Sequence, residues 1–398
     1  MRRALPVNGC YLRSVMTRAF ASSLLILALA GCGDDDSGTS ADMAVEPDAP
    51  EPPDMGPRDY ADELAWYGEL PVGFQELEVT YTRPDGDGER TIPYLVWYPA
   101  AGEGGIHPRH AFRRAEVATL DAPPAAGPFP TLAFSHGHLG VADVSTDLCE
   151  HFASHGWVVF SPTHVGNTTS DGDTRTADIY YLRSTDVSAV LDDLEAHPDL
   201  GALVGSPMVV SGHSFGGYTA LTLAGATLDV DGIIASCETD PDDPICVDFD
   251  SEAEAILRAG LRDERFDAVL SMAAGDARRF GDSGVADIDI PVLLMVAEGD
   301  GYPAGAHAED AYWNTLDGPN DLWVDLLGAG HQTFTDICVS LSGFPRCPPR
   351  EYPSELGLRW TRLYAHAFVR SRLMDDADAA AILEGSPEDP SLEVVSKM

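Results

Sequence analysis

The motif with the clearest chemical potential is Gly-His-Ser-Phe-Gly at residues 212–216, in which a serine stands between two glycines. The apolar pair Val209 and Val210 precedes the motif, and residues of helical period follow it. A strand that turns sharply into a helix at Gly-x-Ser-x-Gly is a nucleophile elbow, which exposes the serine hydroxyl above a sheet. The alternative is a glycine-rich turn whose serine only caps a helix. Because the motif stands between a strand and a helix, we predict Ser214 as the nucleophile of an acyl transfer.

A serine hydroxyl is a weak nucleophile near neutral pH, so a base must take its proton. Where a nucleophile elbow is present, the histidine that does so comes late in the chain, on the loop after the last strand. Leu322, Val324 and Leu326 alternate as in a strand, and the loop at residues 328–330 leads directly to His331. We therefore predict His331 as the general base.

An acidic residue is needed to orient that histidine and to stabilise its cation. In this order of residues it falls between the serine and the histidine, at the end of a strand. Asp300 follows the apolar run at 291–296, and Asp276 follows the preceding run at 268–273. We favour Asp300. Because chain order does not separate the two residues, Asp276 stays as the alternative.

Acyl transfer also passes through a negatively charged oxygen that backbone N–H groups must stabilise. The amide of Phe215, directly after the serine, is the first expected donor. The second should come from the loop after the strand at 129–135, where His138 lies between Gly137 and Gly140. Glycines in that loop let a carbonyl group approach the backbone closely. We predict the amides of Phe215 and His138 as the oxyanion hole.

Short apolar runs that alternate with helical periods must position these residues, and this pattern predicts a parallel sheet covered on both faces. Alternating residues around an Asp-Gly turn at 75–98 predict an antiparallel hairpin at one edge. Together with the elbow, the pattern indicates an α/β-hydrolase fold, with a mostly parallel sheet, helices on both faces and an N-terminal antiparallel hairpin. We predict an irregular connection at 101–128, strands at 129–135, 157–161, 207–211, 268–273, 291–296 and 322–326, and helices at 144–154, 181–196, 215–226 and 304–316.

An insertion at residues 228–266 interrupts this alternation. It contains prolines and an acidic run, and its length exceeds that of an ordinary connection in a compact domain. We keep two interpretations of equal weight, a lid or pocket wall and a surface excursion.

The N-terminus has the features of an export signal. Four arginines precede an uncharged apolar run at 19–30 that ends in small residues and Cys32. The run is too short to span a bilayer. The end of this segment resembles a bacterial lipobox, so we predict a signal peptide at 1–31 and a lipid anchor on Cys32. An ordinary signal peptide is the alternative, and in both cases the protein is exported. In the lipoprotein case we expect it to be anchored to a bacterial membrane, facing the periplasm or the cell exterior.

Two further ranges complete the predicted organisation. Residues 32–58 are rich in Asp, Glu, Pro and Ser with few large apolar residues, which predicts a disordered acidic tether. Residues 59–398 are the predicted catalytic domain.

Export makes disulfide bonds possible. Spacing in the chain favours a Cys237–Cys246 pair and a Cys338–Cys347 pair, although four cysteines permit three pairings. Cys149 is then left over, and we expect it to be a buried free thiol.

The formal net charge of −41 predicts that the chain repels nucleic acid. His151 and His155 have the helical i, i+4 spacing of two metal ligands, beside Glu150. The zinc-protease pattern requires a glutamate between the two histidines, and Phe152 stands there instead. We therefore expect no metal site.

Four segments resemble the platelet-activating-factor acetylhydrolase and dienelactone-hydrolase-like branch of the α/β-hydrolases over about residues 75–370. The resemblance rests on residues 97–99 (Trp-Tyr-Pro), 134–137 (Phe-Ser-His-Gly), 163–167 and 212–217. It implies an esterase or lipase-type activity without a cofactor, and it supports the assigned serine, histidine and amides. True dienelactone hydrolases have cysteine where Ser214 stands. Acetylhydrolase relatives place the acid near Asp276, whereas bacterial polyester hydrolases place it as Asp300 does.

These features predict a serine esterase that acts on a small-molecule or lipid-like ester through an acyl-enzyme. Two alternatives stay open. The same residues would support an acyltransferase or an amidase, and an inactive hydrolase scaffold would make the chain a surface-binding lipoprotein.

Overall fold

The computed structural model describes residues 59–102, 104–172, 175–300, 312–385, 387 and 389–397. The predicted signal peptide, Cys32 and the tether at 32–58 lie outside the described residues, as does most of the predicted helix at 304–316. Within the described part of the chain, no helix combines the length and the apolarity that crossing a bilayer requires.

One ten-stranded sheet organises the described residues, in the order β10-β9-β8-β7-β6-β4-β5-β2-β1-β3. The pairs from β5 through β4, β6, β7 and β8 to β9 are parallel, whereas β1–β2, β2–β5 and β9–β10 are antiparallel. The strands are β1 Val72–Thr82, β2 Glu89–Pro99, β3 Ala118–Leu120, β4 Phe129–Ser135, β5 Val158–Pro162, β6 Val204–His213, β7 Ala268–Met272, β8 Val292–Ala297, β9 Leu322–Leu326 and β10 Leu392–Ser396.

Helices cover both faces of this sheet, because the central strands are apolar on both sides. Every residue of β7 and β8 is buried. Neighbouring residues on β6 enter different cores, with Val210 packed under α3 and α4 and Val209 packed under α2 and α8. The helices are α1 Tyr60–Ala65, α2 Thr146–Ser154, α3 Ala177–Ala196, α4 Phe215–Leu223, α5 Val230–Thr239, α6 Ser251–Ala259, α7 Ile337–Ser340, α8 Ser354–Leu373 and α9 Ala377–Glu384.

The predicted α/β-hydrolase architecture is confirmed, with three local corrections. The hairpin β1–β2 is not the outermost pair, because β3, inside the predicted irregular connection, adds to β1 in parallel. The opposite edge is closed by β10, an antiparallel strand that we did not predict. The helix predicted at 215–226 ends at Leu223, because Gly225 adopts a left-handed φ of 113° that stops a helix.

The insertion at 228–266 forms α5 and α6, and the Cys237–Cys246 disulfide ties α5 to the 3-10 turn Pro244–Cys246 between them. It packs on α3 and on the segment after β7, where the buried Arg279 donates two hydrogen bonds to Asp243.

Candidate active site

Ser214 occupies the turn between β6, which ends at His213, and α4, which begins at Phe215. Its backbone has φ 57° and ψ −119°, a left-handed conformation that non-glycine residues adopt only under strain. The neighbouring strand holds it there: the Ser214 amide donates to the carbonyl of Met272 at 2.9 Å, and the Gly275 amide donates to the carbonyl of Ser214 at 3.1 Å. The predicted elbow geometry is therefore present.

Two glycines make this turn sterically possible. A Cβ atom on Gly216 would lie 1.8 Å from the carbonyl oxygen of Ser135, and one on Gly212 would lie 2.2 Å from the carbonyl oxygen of Gly216. Both distances are far below van der Waals contact, and the opposing atoms belong to the backbone. A side chain at Gly216 would push the start of α4 away from β4, and one at Gly212 would push it away from β6.

His331 begins a short 3-10 turn after β9, and its side chain is buried against Asp300. The Nδ1 atom of His331 donates to Oδ2 of Asp300 over 2.7 Å. The Nε2 atom of His213 donates to the carbonyl of His331 at 2.8 Å, so the residue before the serine also holds the histidine loop. A carboxylate on Nδ1 leaves Nε2 as the basic nitrogen of His331.

Arg346 completes this arrangement from the loop after α7. Its Nη2 atom donates to Oδ1 of Asp300 at 2.9 Å. Burial lowers the pKa of His331, the bond to Asp300 opposes that effect, and the positive charge of Arg346 lowers the pKa further. The imidazole is consequently neutral at neutral pH, which is the form that accepts a proton.

Asp276, the alternative acid, has a different partner. Arg175 donates to it through Nη1 at 3.2 Å, and the hydroxyl of Tyr180 donates at 3.3 Å. The structure thus brings Asp300 to His331 and directs Asp276 toward Arg175.

These groups surround one cavity of about 300 Å³. Ser214, Phe215, His138, His331 and Asp276 all line it. Its other walls are partly apolar, and among its described lining residues none comes from the insertion at 228–266. The apolar lining residues include Leu139, Val144, Ile337 and Phe344, and the polar ones include Thr169, Arg175, Gln332 and Arg346.

The loop that carries His138 is supported from below by Arg183 of α3, which is completely buried. The Arg183 guanidinium donates to the carbonyl of His136, to Oγ of Ser135 at 3.1 Å and to Oδ1 of Asn167 at 3.0 Å. Asn167 in turn contacts Nδ1 of His138 through Nδ2 at 2.9 Å. One buried cation therefore orients the predicted oxyanion loop.

A second serine, histidine and aspartate form a chain of polar contacts behind this loop. Ser135 Oγ and His164 Nε2 are 2.9 Å apart, and His164 Nδ1 donates to Oδ2 of Asp186 at 2.9 Å. All three side chains are completely buried, so no substrate can reach the hydroxyl. Arg90 also donates to Asp186 at 2.7 Å, which makes this chain part of the buried support of the fold.

Sequence reasoning missed Arg346, Arg183 and Asn167. Arg346 had a detectable signal, because it lies within the predicted Cys338–Cys347 loop shortly after His331. Arg183 falls at a helical position that is otherwise apolar, which is unusual for an unpaired cation. Both predicted disulfides form, and Cys149 is a buried free thiol, as expected.

Comparisons with known proteins agree with this fold. The family model described as Chlorophyllase matches residues 109–243. A solved structure of a ferulic acid esterase from Streptomyces cinnamoneus aligns with a TM-score of 0.60 at 22% identity, covering 82% of this chain and 97% of that one. No curated protein matches the sequence. With the sheet order and the elbow, the structural match shows that the chain has the α/β-hydrolase fold.

The elbow geometry predicts the effect of Gly216→Ala. The added methyl group collides with the Ser135 carbonyl, so we expect a loss of about 3 kcal/mol of stability or more. Gly343→Ala is the matched control, because a Cβ there meets nothing within 4 Å. Thermal unfolding followed by circular dichroism measures both variants. A Gly216→Ala protein as stable as the control would contradict the close approach of the start of α4 to β4.

Proposed function

We propose that this protein is a serine hydrolase that cleaves carboxylic esters, with Ser214, His331 and Asp300 as its triad. The observation that carries the proposal is the strained Ser214 in the same cavity as a buried, neutral His331 whose Nδ1 atom is bonded to Asp300. The partial match to a chlorophyllase family model and the likeness to a ferulic acid esterase support ester chemistry.

The reaction follows from the positions of these groups. The Oγ atom of Ser214 attacks the ester carbonyl carbon while Nε2 of His331 takes its proton. The amides of Phe215 and His138 stabilise the resulting oxyanion, and removing one such donor typically costs about 10²- to 10³-fold in kcat. His331 then protonates the leaving alcohol, and water activated by His331 releases the acid from Ser214. Asp300 stabilises the imidazolium that forms in both steps.

The cavity indicates the size and polarity of the ester. About 300 Å³ lies at the small end of ligand sites, and Leu139, Val144, Ile337 and Phe344 provide apolar walls. We expect compact esters with an apolar acyl group to be better substrates than long-chain lipids. Methyl ferulate belongs in the same test, because the structural neighbour is described as a ferulic acid esterase.

Hydrolysis of nitrophenyl esters from acetyl to long acyl chains tests the proposal directly. We expect turnover with short chains and a loss of about 10⁴-fold or more in kcat for Ser214→Ala, because the nucleophile is absent. A serine-reactive phosphonate should label the wild type and not the variant. Failure of both turnover and labelling would instead favour a surface-binding protein. Added alcohol that diverts product to a new ester would indicate an acyltransferase.

Asp300→Asn and Asp276→Asn form a matched pair that tests the acid. The amide in Asp300→Asn cannot stabilise the imidazolium, so we expect a loss on the order of 10⁴-fold in kcat, as for other triads. Asp276→Asn should retain most of kcat, since Asp276 is bonded to Arg175 and Tyr180. The reverse ranking would assign the acid to Asp276.

The pH dependence of kcat/KM tests the role of Arg346. His331 must be neutral to act as a base, so activity falls as the pH drops through its pKa, and that pKa lies below the ordinary value. Arg346→Gln removes a charge that lowers the pKa of His331, so the acid limb should move to higher pH. Arg350→Gln changes an exposed arginine of the same loop and should leave the profile unchanged. An unshifted acid limb in Arg346→Gln would show that Arg346 does not lower the pKa of His331.

We also propose that the protein is exported and lipid-anchored through Cys32, with the tether at 32–58 separating the catalytic domain from the membrane. Two disulfides in the catalytic domain are compatible with an oxidising compartment. The signal sequence and its small residues before Cys32 support the anchor.

Metabolic labelling with an alkyne fatty acid in a bacterial host tests this anchor. We expect label on the wild type and on Cys10→Ser, whose altered residue lies in the predicted signal, and none on Cys32→Ser. Equal labelling of Cys32→Ser would place the lipid elsewhere, and an unlabelled but secreted wild type would indicate an ordinary signal peptide.

A further inference from the structure

Three histidines form a cluster remote from the cavity of Ser214. His151 and His155 come from the last turn of α2 and the residue that caps it, and His366 comes from α8. Their ring centroids are 4.4 to 5.2 Å apart. One ring nitrogen from each histidine can be chosen so that all three lie within 4.8 Å of one another. Such convergence of three imidazoles is the first requirement of a metal site.

The second observation is the absence of hydrogen bonds at two of these rings. His151 and His366 are completely buried, and neither ring nitrogen of either side chain makes a hydrogen bond within the described structure. The carbonyl groups of Trp66 and Leu64 lie near these two rings but outside hydrogen-bond geometry. Buried polar atoms are normally paired, so four unpaired nitrogens on two neighbouring buried rings call for a ligand.

His155 differs because it is half-buried and already oriented. Its Nε2 atom donates to the carbonyl of Trp66 at 2.9 Å, which leaves Nδ1 available as a ligand. A metal-binding histidine usually donates its other nitrogen to a carbonyl or carboxylate in this way. The partial exposure of His155 also provides a route for an ion from solvent.

The charged groups around the cluster are already paired. Arg362 of α8 donates to Asp147 and to the carbonyl of Ala65, and Arg370 is bonded to Asp376. These two cations therefore have other partners and leave the three imidazoles to one another.

We propose that His151, His155 and His366 bind a first-row divalent metal ion, with Zn²⁺ as the best match. Imidazole nitrogen suits Zn²⁺, and three histidines with one water complete a tetrahedral site. Zinc–nitrogen bonds of about 2.0–2.1 Å require ligand nitrogens about 3.3 Å apart, so the rings would move inward by about 1 Å from their present positions. The third ligand comes from α8, far along the chain, so the site has no continuous sequence motif.

The ion would act as a structural clip. It would join the end of α2 to the middle of α8, beside residues 64–66 at the end of α1. None of the three histidines is among the described residues that line the cavity of Ser214. Ser214 and His331 follow the carboxyl ends of parallel strands, whereas α2 ends just before the amino end of β5. The histidine cluster and the cavity of Ser214 therefore lie at opposite ends of the parallel strands. Metal binding should consequently raise stability without changing ester turnover.

Metal titration of the chelator-treated protein tests the proposal. We expect calorimetry to show one equivalent of Zn²⁺ bound. Excess Mg²⁺ is added so that it competes for the acidic surface. Co²⁺ at the same site should give the strong visible absorption of tetrahedral coordination. Zn²⁺ should also raise the melting temperature of the wild type.

Single substitutions provide the matched comparison. His155→Ala, at the half-buried position, and His366→Gln should each weaken Zn²⁺ binding by about 100-fold or more and abolish the Co²⁺ spectrum. His197→Ala changes a histidine at the end of α3 and should bind as the wild type does. If His366→Gln does not fold, His155→Ala alone decides. Equal affinity in His155→Ala and wild type, or no saturable binding at one equivalent, would overturn the proposal.

Discussion

The contact between β4 and the start of α4 is the constraint on which the rest of the site depends. Register places Ser135 opposite Gly212, two residues before Ser214. Because Gly216 has no side chain, the helix approaches the Ser135 carbonyl to a distance that a Cβ would forbid. The same approach brings the loop after Ser135 beside the elbow. The strained serine and its predicted oxyanion loop are thus two results of one backbone contact.

That contact also requires buried polar groups to be paired. The Arg183 guanidinium has no contact with solvent, and burial lowers its pKa to about 9. It is retained because carbonyl, hydroxyl and amide oxygens from the loops after β4 and β5 accept its hydrogen bonds. Removing one partner of such a buried charge is strongly destabilising, so the loops, α3 and α4 hold one another in place.

Sheet order explains which aspartate reaches the histidine. His331 follows β9, Asp300 follows β8 and Asp276 follows β7, and these strands are neighbours in that order. Asp300 is therefore adjacent to the histidine loop, whereas Asp276 lies one strand further away and pairs with Arg175. The disulfide-closed loop at 338–347 adds Arg346 on the outer side of Asp300.

Chain order did not separate Asp300 from Asp276. Local patterns in the sequence were sufficient for the fold class, the elbow at Ser214 and the disulfide pairs. Each depends on residues close together in the chain, where apolar period, glycine spacing and cysteine spacing express steric rules directly. The edge strands β3 and β10 could not be predicted, since a short strand exists only where a partner strand accepts it. Three other features join segments that are far apart in the chain. They are Arg183 beneath the oxyanion loop, Arg346 beside Asp300, and His366 beside His151 and His155. Only the packing of helices on the sheet brings such side chains within hydrogen-bond or ligand distance, so tertiary structure alone decided them.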